Sequence, residues 1–197
     1  MGQEGDNLVA RARGGDEAAL EALVRAASPG VYRFILRMVR SEEDARELTQ
    51  ETFLRAIRNF DRYDPAYSLN TWLYRIARNL CIDRARRMSH WRRSEGDVED
   101  GGAGVGVEGG VEEGGAQLDR VLEGERRARL ERAVEALKPK YREVILLYHY
   151  EEMTYQEMAK VLGIPLGTVM NRLFRARKQL RKLLESEARG WWEEGTR

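Results

Sequence analysis

Residues 153–184 read MTYQEMAKVLGIPLGTVMNRLFRARKQLRKLL, a short helix and a longer one separated by a tight turn. Thr154-Tyr155-Gln156-Glu157 has the spacing of a capping box. The threonine hydroxyl accepts the backbone N–H three residues on, and the glutamate reaches back. Met158, Ala159 and Leu162 then form an inner stripe, and Gly163 supplies the left-handed residue that lets the chain turn. Pro165 suits the opening turn of the next helix, where its missing N–H costs nothing. Val169, Leu173, Ala176 and Leu180 give that helix its inner face. Its outer face carries Gly167, Asn171, Phe174, Arg175 and Lys178, and the half from Arg172 to Lys182 holds no acid. A capped helix, a glycine turn and a basic second helix form the arrangement that enters a DNA major groove. Residues near the amino end of such a helix meet base edges. Asn171 suits adenine and Arg175 suits guanine, while Arg177, Lys178, Arg181 and Lys182 suit phosphates.

The rest of the composition agrees with a nucleic-acid partner. The 197 residues carry 34 Lys and Arg against 33 Asp and Glu, a formal charge of +1. Seven of those acids (Glu95, Asp97, Glu99, Asp100, Glu108, Glu112, Glu113) fall between Ser94 and Gln117, a stretch with nine glycines and no basic residue. Outside that stretch the balance is 34 basic to 26 acidic, so the regions able to fold are positive. The stretch itself combines costly glycines with like charges and is expected to be a disordered tether. Cys81 is the single cysteine, which excludes a disulfide framework; it reads as a small buried apolar residue. His90 and His149 have no metal-ligand spacing with it, so neither a metal nor another cofactor is expected. No apolar run reaches the roughly 20 residues that span a bilayer, and the amino terminus lacks a signal-peptide core. A cytoplasmic protein without membrane insertion is the expectation.

The first block is also helical. Asp16 caps a helix with Leu20, Leu23 and Val24, which Ser28-Pro29-Gly30 is expected to end. A second helix places Val31, Phe34, Ile35 and Met38 on one side. Ser41–Asp44 resembles a capping box, and the helix after it points Ala45, Leu48, Thr52, Ile57 and Phe60 inward. Asp61 to Asn70 reads as a loop, and Thr71 to Arg87 as a helix with Leu73, Ile76, Ala77 and Leu80 toward the core. After the tether, periodicity resumes at Leu118 through Leu130, Val134 and Leu137, then Val144, Ile145 and Tyr148. The fold class is all-α, with two small helical domains joined by a flexible acidic, glycine-rich linker.

These two blocks together resemble the bacterial RNA polymerase sigma factors of the sigma-70 family, in particular its extracytoplasmic-function (ECF, group four) subfamily. The run GIPLGTVMNRLFRARKQL at 163–180 is similar to that family's region 4. VYRFILRMVRSEEDARELTQETFLRAIRNF at 31–60 and SLNTWLYRIARNLCIDRARR at 68–87 are similar to its region 2. The resemblance implies a region-2-like domain over 1–93, a linker over 94–117, a region-4-like helix-turn-helix domain over 118–190 and a tail over 191–197. It implies a promoter-specificity subunit, not an enzyme, that binds core RNA polymerase, directs it to promoters and helps melt DNA.

It also implies roles by position. Asp44, Glu47, Leu48, Gln50 and Glu51 would dock on the clamp helices of the polymerase largest subunit, and the second block on the flap of the second-largest. Phe60, Tyr63, Tyr67, Trp72, Arg75, Arg78, Asn79, Arg84, Arg86 and Arg87 would bind and open the minus-ten element, where unpaired bases need stacking rings and positive charge. Trp72 reads equally well as core. Thr168, Met170, Asn171, Arg172, Phe174, Arg175 and Lys178 would recognise the minus-thirty-five element. Met170-Asn171 stands where the family often has Lys or Arg followed by Ser, so the upstream sequence it prefers is not inherited. An anti-sigma protein is an implied partner.

A dimensional argument supports a large partner. A 24-residue flexible tether has an end-to-end distance of about 25–30 Å, whereas promoter elements two helical turns apart lie roughly 70 Å apart. A body binding both blocks fixes the spacing. Two other readings use the same residues: a free-standing repressor, which needs a dimer interface, and a magnesium nuclease built on Asp97, Glu99 and Asp100, which needs a rigid first shell.

Overall fold

The computed structural model describes the backbone of residues 3–95 and 116–194, and the side chains of 7–89 and 124–185. Of the expected tether at 94–117, residues 96–115 lie outside the described residues, as do the side chains of Trp191 and Trp192, while 94–95 and 116–117 belong to flanking helices. Among those described, every regular element is helical, as expected: α1 (Gln3–Arg13), α2 (Glu17–Val39), α3 (Glu42–Arg58), α4 (Leu69–Glu95), α5 (Ala116–Ala136), α6 (Pro139–Ile145), α7 (Tyr155–Leu162) and α8 (Leu166–Glu194). Helices α1–α4 form one unit and α5–α8 the other.

Local capping signals act where the sequence places them. Asp16 accepts from Ala19 N at 3.1 Å, and Ser41 accepts from Asp44 N at 3.2 Å. Thr154 and Glu157 make the full reciprocal box, and Gly163 ends α7 with φ 65°. The inner face of α8 is likewise as expected, with Val169, Leu173 and Ala176 buried.

Ser28-Pro29-Gly30 does not end a helix. α2 runs through it without a break. Pro29 is exposed, and so is Arg25, whose carbonyl the proline leaves unengaged; water can satisfy it there. Gly30 serves a different purpose. A Cβ at that position would lie 2.7 Å from the Tyr74 hydroxyl, so glycine is what lets α4 approach α2. α1 was not foreseen either; it packs Val9 and Ala12 into the core beside α2.

α3 is rotated slightly from its expected setting. Ala45, Leu48 and Thr52 are buried with Phe53 and Ala56, while Ile57 and Leu54 are exposed. α4 buries Leu73, Ala77, Leu80 and Cys81. Leu130 of α5 is exposed, and Val134 and Leu137 carry the packing instead. After α6, residues Leu146–Tyr150 form a π-helical turn that buries Leu146 and Leu147 and carries Tyr150 and Glu151 toward the first unit.

The two units touch. α7 packs along α4, and α6 meets α2. The Arg142 guanidinium, 6 % exposed, donates to the carbonyls of Arg37 and Met38 at the end of α2 (3.4 and 3.3 Å). It also donates to the carbonyls of Glu135 and Leu137 at the end of α5. Carbonyls left over at two helix ends thus share one cation. Burial lowers the Arg142 pKa to about 10, which leaves it charged at neutral pH.

Burial also pushes the Cys81 thiol up to about 12. The thiol should therefore react with a disulfide reagent at pH 8 far more slowly in the folded protein than in urea, because only the thiolate attacks. Thr154→Ala should lower the unfolding free energy by about 1 kcal/mol in urea titrations, the usual value of a lost cap.

Candidate nucleic-acid and polymerase interfaces

The outer face of α8 is built from the turn upward. The capping box fixes where α7 starts, Gly163 reverses the chain, and Leu166 opens a helix whose buried stripe leaves the opposite side to solvent. On that side Leu166, Met170 and Phe174 follow one another every four residues and are 41 %, 50 % and 70 % exposed. Asn171, Arg175 and Lys178 are exposed next to this apolar ridge, and Thr168 is half-buried at its start. Hydrogen-bonding side chains therefore stand beside apolar ones, a combination that suits base edges and thymine methyl groups.

Arg172 departs from this group. It turns toward α6 and pairs with Glu143 at 3.1 Å, so it is not on the outward face with Arg175. Arg177 is also engaged. Its guanidinium lies over the Tyr148 ring, 4.8 Å from the centroid, and Tyr148 stacks on Tyr155. Burial and the Arg177 charge both hold the neighbouring His149 below its ordinary pKa.

On α4, Arg75, Asn79 and Arg86 are exposed at spacings of four and seven, so they share one face, with exposed Arg87 beside them. Two other expected contacts are occupied within the protein. Arg84 pairs with Asp44 and with Glu47 (3.4 Å to the latter). Arg78 is 15 % exposed and pairs with Glu143 at 2.8 Å.

The aromatic residues separate as well. Phe60, Tyr63 and Trp72 pack in a nest with ring centroids 5.4–6.1 Å apart, and Tyr63 donates to the Tyr67 carbonyl at 2.6 Å. Tyr63 and Trp72 are buried, which resolves the two readings of Trp72 in favour of core in this conformation. Phe60 is half-buried. Tyr67 is exposed, with the Lys160 ammonium 3.8 Å above its ring.

The expected polymerase-docking residues divide in the same way. Glu47, Gln50 and Glu51 lie on the open side of α3, with Glu51 bonded to Arg55 at 2.6 Å. Asp44 is turned toward Arg84. Leu48 is corrected: at 3 % exposure it belongs to the core and cannot meet a partner. Sequence periodicity passed over Leu54 and pointed Ile57 inward; both are exposed and line a groove with Val24, Tyr32, Gln50 and Phe53. Their signal was there: an apolar pair one turn beyond the exposed Gln50, on a helix whose inner face was already full.

An all-helical protein with a capped helix-turn-helix and a second basic helix defines a two-domain nucleic-acid-binding class. Residues 23–93 match the family described as Sigma-70 region 2, and residues 127–180 match Sigma-70, region 4. The chain is 34 % identical over 176 residues to the ECF RNA polymerase sigma factor SigW of Bacillus subtilis (strain 168), covering 86 % of this chain and 91 % of that protein. It is 36 % identical over 173 residues to the ECF RNA polymerase sigma factor SigE of Mycolicibacterium smegmatis, covering 86 % of this chain and 64 % of that one. In fold it is similar to CnrH in complex with the cytosolic domain of CnrY, at TM-score 0.65 and 26 % identity over 92 % of this chain and 97 % of that one. The fold also matches the sigma factor RpoE solved with the anti-sigma factor NepR from Bartonella quintana, at TM-score 0.66 and 23 % identity over 84 % of this chain and 96 % of that one. The chain belongs to the sigma-70 family of RNA polymerase sigma factors, in its ECF class. Among the described residues, no helix is long and apolar enough to cross a membrane, and no group of side chains could hold a metal ion.

Because Trp72 fills the aromatic nest, Trp72→Ala should destabilise the first unit by about 3 kcal/mol, the cost of a large cavity. Urea unfolding followed by circular dichroism reads this directly. A transition midpoint equal to that of the parent would return Trp72 to the DNA surface.

Proposed function

We propose that the chain is the promoter-specificity subunit its family implies, with two reading faces of its own. Asn171, Arg175 and Lys178, with Met170, Phe174 and Thr168, would lie against the upstream element. Arg75, Asn79, Arg86 and Arg87, with Tyr67 and Phe60, would lie against the downstream element as it opens. Glu47, Gln50 and Glu51 would dock on the clamp helices of the polymerase largest subunit, with Leu54 adding apolar area beside them. The second unit would meet the flap of the second-largest subunit. The domain limits would be 1–93 and 118–190, with the linker over 94–117 and the tail over 191–197.

The observation that carries this reading is the outer face of α8, where Asn171, Arg175 and Lys178 stand exposed beside the Met170–Phe174 ridge on a helix fixed by a complete cap. Arginine and asparagine in such a position can each bond two atoms of one base edge. No catalytic group is required of this chain, since polymerase makes the phosphodiester bonds. An anti-sigma protein is a fitting partner, given the complex in which the similar RpoE was solved. The site of action would be the cytoplasm, where polymerase and DNA meet.

Run-off transcription with purified core polymerase on genomic fragments tests the function, and start sites that depend on this chain are the expected result. Arg175→Ala should weaken protection of the upstream element about tenfold, within the 1–3 kcal/mol of a bidentate base contact. Equal footprints for variant and parent would remove Arg175 from the reading face.

A further inference from the structure

The outward side of α8 carries an apolar ridge that packing inside the protein does not explain. Met170 and Phe174 are 50 % and 70 % exposed, and Leu166 continues the ridge one turn back. The buried stripe of the same helix, Val169, Leu173 and Ala176, already supplies its contact with the rest of the second unit. Large apolar side chains left uncovered in a row mark a surface that meets something else.

The flanks of the ridge are positive. Asn171, Arg175 and Lys178 are exposed beside it, and no acid occurs from Leu166 to Leu184. A basic rim around an apolar centre complements a major groove, which has phosphates along its edges and thymine methyl groups on its floor. A Cβ at Gly167, one turn before Asn171, would meet nothing within 4 Å, so nothing in the fold requires glycine there. The missing side chain instead keeps the start of α8 slim enough to lie deep in a groove.

Met170 is the informative member. A lysine or arginine at that point would reach a phosphate, or O6 and N7 of guanine. Methionine offers no donor, and its unbranched, polarizable chain shapes itself to an apolar partner. In the major groove the base that presents a methyl group is thymine. Four residues of helix rise about 6 Å, close to two base-pair steps, so successive ridge residues meet different base pairs.

We propose that Met170 and Phe174 are specificity residues. Each covers the C5 methyl of a thymine, about two base pairs apart in the upstream element, while Asn171 and Arg175 bond the bases beside them. The chain thereby prefers a T·A pair where a cation at 170 would select guanine. This rests on the reading of α8 as the upstream-element face.

Holoenzyme assembled from the full-length chain and core polymerase tests it, on a promoter taken from the run-off map. Upstream thymines are replaced one at a time by uracil, which removes the C5 methyl and leaves every hydrogen-bonding group in place. Two such replacements should each weaken protection about fourfold, the value of one buried methyl group. Met170→Ala should be insensitive to one of them and Phe174→Ala to the other. Both variants should keep the parental helical signal, since each side chain is exposed. Met170→Lys should lose the same methyl effect and steepen the log–log salt dependence by about one, as an added phosphate contact does.

Uracil replacements without effect overturn the methyl reading, and so does an effect that survives in both alanine variants. Arg175→Ala separates this from failure of the upstream face. If Arg175→Ala weakens protection while uracil does nothing, the face stands and the ridge does not read methyls. If Arg175→Ala is also silent, the upstream face itself is wrong. Alanine variants that no longer assemble with core polymerase would overturn the proposal by assigning the ridge to a protein partner.

Discussion

The arrangement of the two units depends on the Arg142 guanidinium, which gathers backbone carbonyls from the ends of α2 and α5. Burying a cation is costly unless nearly all of its donors are used, and carbonyls at a helix end need partners of their own. Each side meets the other's requirement. Residues 142 and 143 then act as an adjacent pair of opposite charges: one anchors the backbone of both units, and the other engages Arg78 of α4 and Arg172 of α8. A seven-residue helix carries both, and its remaining buried residues, Tyr141, Val144 and Ile145, hold it in the core of the second unit.

What could be read in advance was local. The capping box at Thr154–Glu157, the left-handed Gly163 and the inner stripe of α8 depend on residues a turn apart, and all stand as the sequence implies. The outward Asn171, Arg175 and Lys178 follow from the same periodicity. What could not be read depended on distant parts of the chain. Gly30 looks like a helix terminator until Tyr74 is brought against it from α4. Arg78 looks like its exposed neighbour Arg75 until a carboxylate from α6 arrives. Asp44 and Arg84 were assigned to different partners, and the fold pairs them with each other. Leu48 and Leu54 show the limit of periodicity within one helix, where a small rotation exchanges core for surface.

Charge therefore serves two ends in this chain. Some cations are held by carboxylates or rings, as with Arg84 on Asp44 and Arg177 over Tyr148. Others, such as Arg75, Arg175 and Lys178, stay on the surface, where they contribute to a positive field on the folded parts. Counting charges cannot tell the groups apart. Burial and partner distance do.

The unbroken run of α2 through Pro29 bears on how the first unit reaches the second. A helix of 23 residues is a rod of about 35 Å, at 1.5 Å of rise per residue. Its contacts with the second unit described above fall on Arg37 and Met38, toward one end. The other end is occupied by α1 and by the cap at Asp16. One straight rod therefore carries the N-terminal cap at one end and the carbonyls held by Arg142 at the other.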